Sequence, residues 1–253
     1  PPLKMSDGPM GVRQEFKPAS WEIIGLSDDY VTYLPCNSAL AATWNRELAY
    51  NTGSVLGEEA RGRGKDVILG PGVNIKRSPL CGRNFEYFSE DPYLAGKLAA
   101  GWIRGMEGAG VASSLKHFAC NSQEWKRFSS DSIVDERTLR EIYLYAFEIA
   151  VKESRPMSIM TSYNLINGVP TADSYDLCTN IARGEWGFDG LIMTDWNGGS
   201  YTPMKSMHAG NDLIMPGGAS KANEIITGAE DVKPTFEANG QIGLKDELMY
   251  MFS

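Results

Sequence analysis

Short apolar runs alternate with amphipathic stretches from one end of the chain to the other. Seven runs have the length and β-favouring composition of strands, at residues 3–6, 31–35, 67–69, 111–115, 158–162, 191–194 and 212–215. Between them, apolar positions recur every three or four residues: Trp44, Leu48 and Val55; Leu94, Leu98, Trp102 and Met106; Leu139, Ile142, Ala146 and Ile149. Each stripe is expected to face a sheet. Asp135 is placed to cap the third helix, and Glu136 complements the positive end of its dipole. Such alternation marks repeated βα units around a parallel sheet.

Units of this kind build either an open doubly wound sheet or a closed barrel, and periodicity alone does not separate the two. The polar residues favour one of them. Asp7, Lys116-His117, Tyr163-Asn164, Asp195-Trp196 and the Pro216-Gly217-Gly218 turn each follow a strand, and in a barrel such strand ends converge on one mouth. The expected fold is therefore α/β, a (β/α)8 barrel of TIM type. Seven strands leave it one short, so a βα unit on the N-terminal side is expected to be missing or modified. Residues 1–218 are assigned to the barrel. Residues 219–253, with helices expected at 219–228 and 244–252, close it or lead toward a further domain.

Composition narrows the function. The 253 residues, 42% apolar and 22% charged with 27 glycines, describe a globular chain able to bury a substantial core. A net charge of -8 argues against nucleic acid, whose phosphates require surplus Lys and Arg, and suits neutral or cationic small ligands. No run approaches the ~20 apolar residues of a membrane span. Cys36, Cys81, Cys120 and Cys178 follow neither metal-ligand nor disulfide-framework spacing and read as packed free thiols. With no apolar leader before the first strand, they favour a cytoplasmic setting. No cofactor or metal is expected, and a homo-oligomer stays open.

Candidate chemistry sits at the strand ends. Asp195 closes the run 191–194 and precedes Trp196, so a carboxylate able to attack an anomeric carbon stands beside an apolar face for a sugar ring. An Asp capping the next helix explains the same residues equally well. Lys116 and His117 can together donate to vicinal hydroxyls, or be a salt-bridged Lys beside a satisfied His. Arg83 can clamp a hydroxyl or pair with Glu86, Glu90 or Asp91 within its own loop. Asp7, in a turn with two glycines and a proline, can accept from two hydroxyls, and Arg13 is suited to orient it. Glu86, Glu90 and Glu124 are read as structural, and Arg127 as an auxiliary substrate contact.

Together these segments resemble glycoside hydrolase family 3. The strings are Ser-Asp-Gly-Pro-Met-Gly-Val-Arg at 6–13, Gly-Pro-Gly-Val-Asn-Ile at 70–75 and Gly-Arg-Asn-Phe-Glu-Tyr-Phe-Ser-Glu-Asp-Pro at 82–92. Lys-His-Phe at 116–118, Thr-Ser-Tyr-Asn at 161–164, Thr-Asp-Trp at 194–196 and Met-Pro-Gly at 215–217 follow in the family's order. The resemblance implies a barrel domain of the β-glucosidase branch, with Asp195 as nucleophile. It implies a sugar site of Asp7, Arg83, Lys116, His117, Met160, Tyr163 and Trp196. Retention through a covalent glycosyl-enzyme would follow, with nearby cations favouring ionised Asp195 and a second carboxyl group about 5–5.5 Å away.

That second group is where the chain departs from the pattern. The resemblance places the acid/base on an α/β sandwich domain that is not in this chain. The N-acetylglucosaminidase branch would need an Asp-His dyad, yet no His follows Lys116-His117 closely, and His208 stands far along. The expected activity is hydrolysis of terminal non-reducing β-D-glucosyl residues, as in cello-oligosaccharides, with β-xylosidase or broad exo-β-glycosidase activity as the near rival. A sugar-binding barrel that is catalytically incomplete without a partner is the rival of a different class. An aldolase-like barrel with Lys116 as Schiff-base lysine is a third, and it leaves the Thr-Asp-Trp and Arg-Asn-Phe-Glu strings unexplained.

Overall fold

The computed structural model describes residues 3–13, 30–199, 202–218, 221, 222, 224 and 225. Strand β1 (Met5–Asp7) leads to helices α1 (Asn37–Ala42) and α2 (Arg46–Gly62), and then to β2 (Val67–Leu69). Helix α3 (Pro92–Gly108) precedes β3 (Ala112–Phe118). A short strand β4 (Asp131–Ser132), a turn of helix α4 (Glu136–Thr138) and a π-helical turn Leu139–Tyr143 run into α5 (Tyr145–Ser154) and β5 (Ser158–Thr161). The hairpin of β6 (Leu165–Ile166) and β7 (Val169–Pro170) and a π-helical segment Asp176–Glu185 lead to β8 (Leu191–Met193) and α6 (Pro203–Ala209).

Short polar side chains start the long helices. Asn45 accepts from Leu48 N at 3.0 Å, and Asp91 accepts from Tyr93 N at 2.8 Å with Pro92 in the first turn. Asp135 accepts from Thr138 N at 3.0 Å, the cap its position suggested.

Five strands pair in parallel in the order β1-β2-β3-β5-β8. That order follows the chain without reversal, whereas a doubly wound sheet reverses at its switch point. A parallel bridge from Met193 to Leu213 continues the same progression. The architecture is an α/β barrel-type fold. Parallel pairing puts the C-terminal ends of all five strands on one edge, which is what brings distant polar residues together.

Three expectations are corrected. Residues 31–35 form no strand: their backbone tie is Leu34 N to Met10 O at 2.8 Å, and Tyr33 is exposed. Residues 212–215 join the sheet through the Met193–Leu213 bridge rather than as a regular strand. The stripe Trp44, Leu48, Val55 faces outward, and Trp44 is 72% exposed. Helix α2 instead buries Ala49, Gly53, Leu56, Gly57 and Ala60. The expected helices at 219–228 and 244–252 lie wholly or largely outside the described residues.

The small residues of α2 have a packing reason. A Cβ on Gly53 would sit 2.0 Å from Trp102 O in α3, and one on Gly105 would sit 2.0 Å from Tyr50 O in α2. The two helices approach so closely that backbone touches backbone, and Trp102, Leu98 and Met106 fill the core beside the seam. In the third helical region, the π turn shifts the phase, so Leu139, Leu144, Ala146 and Ile149 are buried while Ile142 is partly exposed.

Gly53→Ala is expected to destabilise the fold by about 2 kcal/mol, because overpacking outweighs the ~1 kcal/mol helix preference of Ala over Gly. Urea denaturation measures it; an unchanged or raised midpoint would show that the seam is looser than described.

Candidate active site

The C-terminal strand ends surround a cavity of about 530 Å³. Asp7 closes β1, Lys116 and His117 lie near the end of β3, Met160 and Tyr163 lie at or just beyond the end of β5, and Asp195 and Trp196 follow β8. Arg83 and Arg127 enter from loops, and Arg13 stands behind the first turn. Every residue singled out above for the sugar site borders this cavity.

Asp195 lies in a turn and caps no helix, since α6 begins only at Pro203 with Thr202 as its cap residue. The capping alternative therefore falls. Its Oδ1 accepts from Trp196 N at 2.7 Å, and Tyr163 hydrogen-bonds the carboxylate. Buried Oδ2 has no hydrogen-bond partner among the described residues. Burial raises the pKa of Asp195 above the ordinary aspartate value, against the pull of Lys116, the Trp196 amide, Tyr163 and Arg83. The cations stand where expected and favour the ionised form, as the sequence suggests, while desolvation outweighs them in the net shift.

Arg83 and Lys116 share one carboxylate. Arg83 grips Glu86 through Nε at 3.0 Å and a terminal nitrogen at 2.7 Å, and Lys116 Nζ lies 3.6 Å from the same group. Burial opposes ionisation of Glu86, but Lys116 and Arg83 bring its pKa below the ordinary value. The loop ion pair of Arg83 and the salt bridge of Lys116, weighed above as bland alternatives, are thus both present, and they fix two donors at the cavity wall. This pairing also speaks against a Schiff-base lysine, whose amine must be free to attack a carbonyl.

Lys116 and His117 sit in an irregularity of the β3–β5 ladder between Leu115 and Phe118, and both side chains border the cavity. Asn74 clamps the His117 backbone, accepting from its N–H and donating to its carbonyl, each at 2.9 Å. The ring is fully buried, its Nδ1 2.9 Å from Tyr87 Oη and its Nε2 3.7 Å from Asp195 Oδ2. Burial, with Arg83, Lys116 and Arg127 nearby, holds its pKa well below the usual histidine value, so the imidazole is neutral.

The remaining walls differ in character. Arg127 stacks over the Tyr163 ring at 4.5 Å, with Phe128 packed 4.3 Å from the same ring. Burial, together with the Asp195 charge, pushes the Tyr163 phenol up. Met5, Leu69, Met160 and Met215 give an apolar floor, and half-exposed Trp196 stands at the side. Arg13 lies 3.6 Å from Asp7, as expected of an orienting group.

Asn74 and Tyr87 lie within strings that carry the family resemblance, but nothing local marks them or Asn121 as buried polar side chains beside the site. Glu86, read as structural, lies closer to the chemistry than that reading implied; its place between Arg83 and Lys116 was the available signal. Glu90 and His208 do not border the cavity. The cysteines form no disulfide, and Cys81, Cys120 and Cys178 are buried, as the spacing suggested. Among the described residues, no cluster of His, Cys, Asp or Glu is suited to a metal ion, and no helix is long and apolar enough to cross a membrane.

Glu86→Ala would leave two cations facing each other without their carboxylate, and is expected to cost about 3 kcal/mol in urea denaturation. The lowered pKa of Glu86 means that its stabilisation is present above the ordinary glutamate value and is lost as pH falls through the lowered one. A loss below ~1 kcal/mol would show that the group behaves as a surface pair.

Known proteins share this fold. A family model described as glycosyl hydrolase family 3 N terminal domain matches residues 23–227. The chain is 48% identical over 217 residues to thermostable beta-glucosidase B of Acetivibrio thermocellus, covering 85% of this chain and 28% of that protein. It is 49% identical over 229 residues to beta-glucosidase B of Emericella nidulans, covering 89% of this chain and 26% of that protein. Among solved structures, beta-glucosidase 3B from Thermotoga neapolitana in complex with glucose superposes with a TM-score of 0.83 at 43% identity, over 98% of this chain and 34% of that one. The chain thus spans about a quarter to a third of the length of these relatives. Strand order, cavity and matched residues lead to one assignment: the chain belongs to glycosyl hydrolase family 3 and corresponds to its N-terminal domain.

Proposed function

We propose that this chain is the nucleophile-bearing barrel of a retaining exo-β-glucosidase that removes terminal non-reducing β-D-glucosyl residues. The observation that carries the proposal is Asp195. Its Oδ1 is held by the Trp196 amide while buried Oδ2, with no hydrogen-bond partner among the described residues, stands in a cavity walled by Arg83, Lys116 and His117. The names of the relatives, and the glucose bound in one of the similar structures, agree with this substrate class.

In the first step, Asp195 Oδ2 attacks the anomeric carbon, and the glycosidic C–O bond breaks as the leaving oxygen takes a proton from an acid. In the second, water attacks the same carbon, gives its proton to that group acting as base, and releases Asp195. Arg83, Lys116, His117 and Asp7 hold the hydroxyls, with Arg127 assisting and Arg13 steadying Asp7. Tyr163 steadies the nucleophile, and Met160 and Trp196 give the ring an apolar seat. The acid/base comes from an α/β sandwich domain beyond the 1–218 barrel, because among the described residues the carboxylates lining the cavity are Asp195 and Asp7, and Asp7 is engaged by Arg13. That shortage also favours the second reading, a sugar-binding barrel inactive without its partner domain.

Asp195→Asn in the full protein should lower kcat for an aryl β-glucoside by roughly 10³-fold or more while the fold persists. Proton NMR of the wild-type reaction should show β-glucose as the first product; α-glucose first would mean inversion and end the covalent mechanism. Because burial raises the Asp195 pKa, the acid limb of kcat/KM assigned to this group should lie above ~4. The same shift makes stability fall as pH rises from the ordinary aspartate value to the raised one. Asp195→Asn should remove that slope in pH-dependent unfolding, and a slope that survives would assign the effect elsewhere.

A further inference from the structure

A chain of polar contacts leads away from Asp195 through His117. The Tyr87 hydroxyl, 2.9 Å from His117 Nδ1, lies 3.0 Å from Asn121 Nδ2. The same amide nitrogen is 3.0 Å from Glu124 Oε1, and Glu124 Oε2 accepts from Arg127 at 2.9 Å. The direction of each bond follows from its neighbour. Glu124, paired with Arg127, is a carboxylate and only accepts, so the Asn121 atom facing it must be the amide nitrogen. That nitrogen has no lone pair to offer, so toward Tyr87 it donates as well. Tyr87 is fully buried, and the acceptor within reach of its own proton is His117 Nδ1. A neutral imidazole that accepts at Nδ1 carries its hydrogen on Nε2.

We propose that Glu124, Asn121 and Tyr87 are positioning residues that set the tautomer of His117, placing its one hydrogen on Nε2 toward Asp195 and the sugar hydroxyl held beside it. Two further features agree. Burial keeps the Tyr87 phenol well above its ordinary pKa and His117 well below its own, so the first has a proton to give and the second is neutral. Asp195 Oδ2, 3.7 Å from Nε2, has no hydrogen-bond partner among the described residues. With the hydrogen on Nδ1 instead, an imidazole lone pair would face the carboxylate and His117 would offer the cavity no donor. The value of that hydrogen for catalysis rests on the β-glucosidase reading; the tautomer does not.

The test is nitrogen NMR of the protein labelled with ¹⁵N-histidine. The sequence has two histidines, so His208→Gln assigns the signals. His117 is expected as the Nε2–H tautomer at neutral pH. The double variant Asn121→Asp with Glu124→Gln exchanges carboxylate and amide, reversing the three bonds from position 124 to His117 while preserving net charge and leaving Arg127 a carbonyl oxygen to donate to. The amide now at position 124 donates to the carboxylate now at position 121, that carboxylate accepts from Tyr87, and His117 Nδ1–H donates to Tyr87. The exchange should move the hydrogen to Nδ1 and lower kcat/KM of the full protein on an aryl β-glucoside by about tenfold or more, as a wrong tautomer does in other enzymes. Should the double variant fail to fold, Tyr87→Phe serves instead and is expected to give mixed tautomers. A wild-type His117 carrying its hydrogen on Nδ1, an imidazolium, or a tautomer unmoved by these changes would overturn the proposal. A correct tautomer in a protein that never cleaves β-glucosides would leave this assignment standing and sink the glucosidase reading.

Discussion

Removal of one carboxylate from water is the constraint on which the rest of the site turns. Asp195 keeps only 9% of its surface exposed, and that burial costs more than its neighbours recover, which is why its pKa rises despite Lys116 and Arg83. In the proposed function, such a desolvated carboxylate serves as the nucleophile once a sugar fills the cavity. The surroundings can be understood as what makes such a group tolerable: a backbone amide on Oδ1, a phenol beside it, and two cations close by. Glu86 holds both cations in place and offsets one of their two charges, so their field is fixed before any substrate arrives.

The fold delivers this arrangement through register. Parallel pairing sends β1, β3, β5 and β8 out on the same edge, so residues from 7 to 196 in the chain meet within one cavity. The β3–β5 irregularity lets Lys116 and His117 both take part. Outside the main sheet, β4, β6 and β7 form a small sheet that secures the loop after β3: Leu165 N bonds Ser130 O at 2.8 Å, and Asn164 donates to Ala119 O at 3.1 Å. That loop carries Asn121, Glu124 and Arg127, so its anchoring governs both a cavity wall and the contacts behind His117.

Much of this was legible in the sequence, and for a definite reason. A polar residue that ends an apolar run is conspicuous, and barrel geometry turns that local signal into a shared location. Asp7, Lys116, His117, Tyr163, Asp195 and Trp196 were found that way, Arg83 through its loop, and the family resemblance added Met160. Other features had no local signature. The buried face of α2 is made of Gly and Ala, so a search for large apolar residues selected Trp44, Leu48 and Val55 on the wrong side. Residues 31–35 have strand-like composition, but tertiary pairing decides whether such a run joins a sheet. The roles of Tyr87 and Asn121 depend on partners 30 and 34 residues away, and the pKa of Asp195 depends on burial, which no short motif encodes.

The most direct measurement uses the full protein and a 2-deoxy-2-fluoro-β-D-glucoside bearing a dinitrophenyl leaving group. The fluorine slows both displacements, and the activated leaving group reduces the need for an acid, so a glycosyl-enzyme should accumulate. Peptide mapping by mass spectrometry should then find the fluoroglucosyl group esterified to Asp195. An adduct on a different carboxylate, or steady turnover with no adduct at all, would contradict the account.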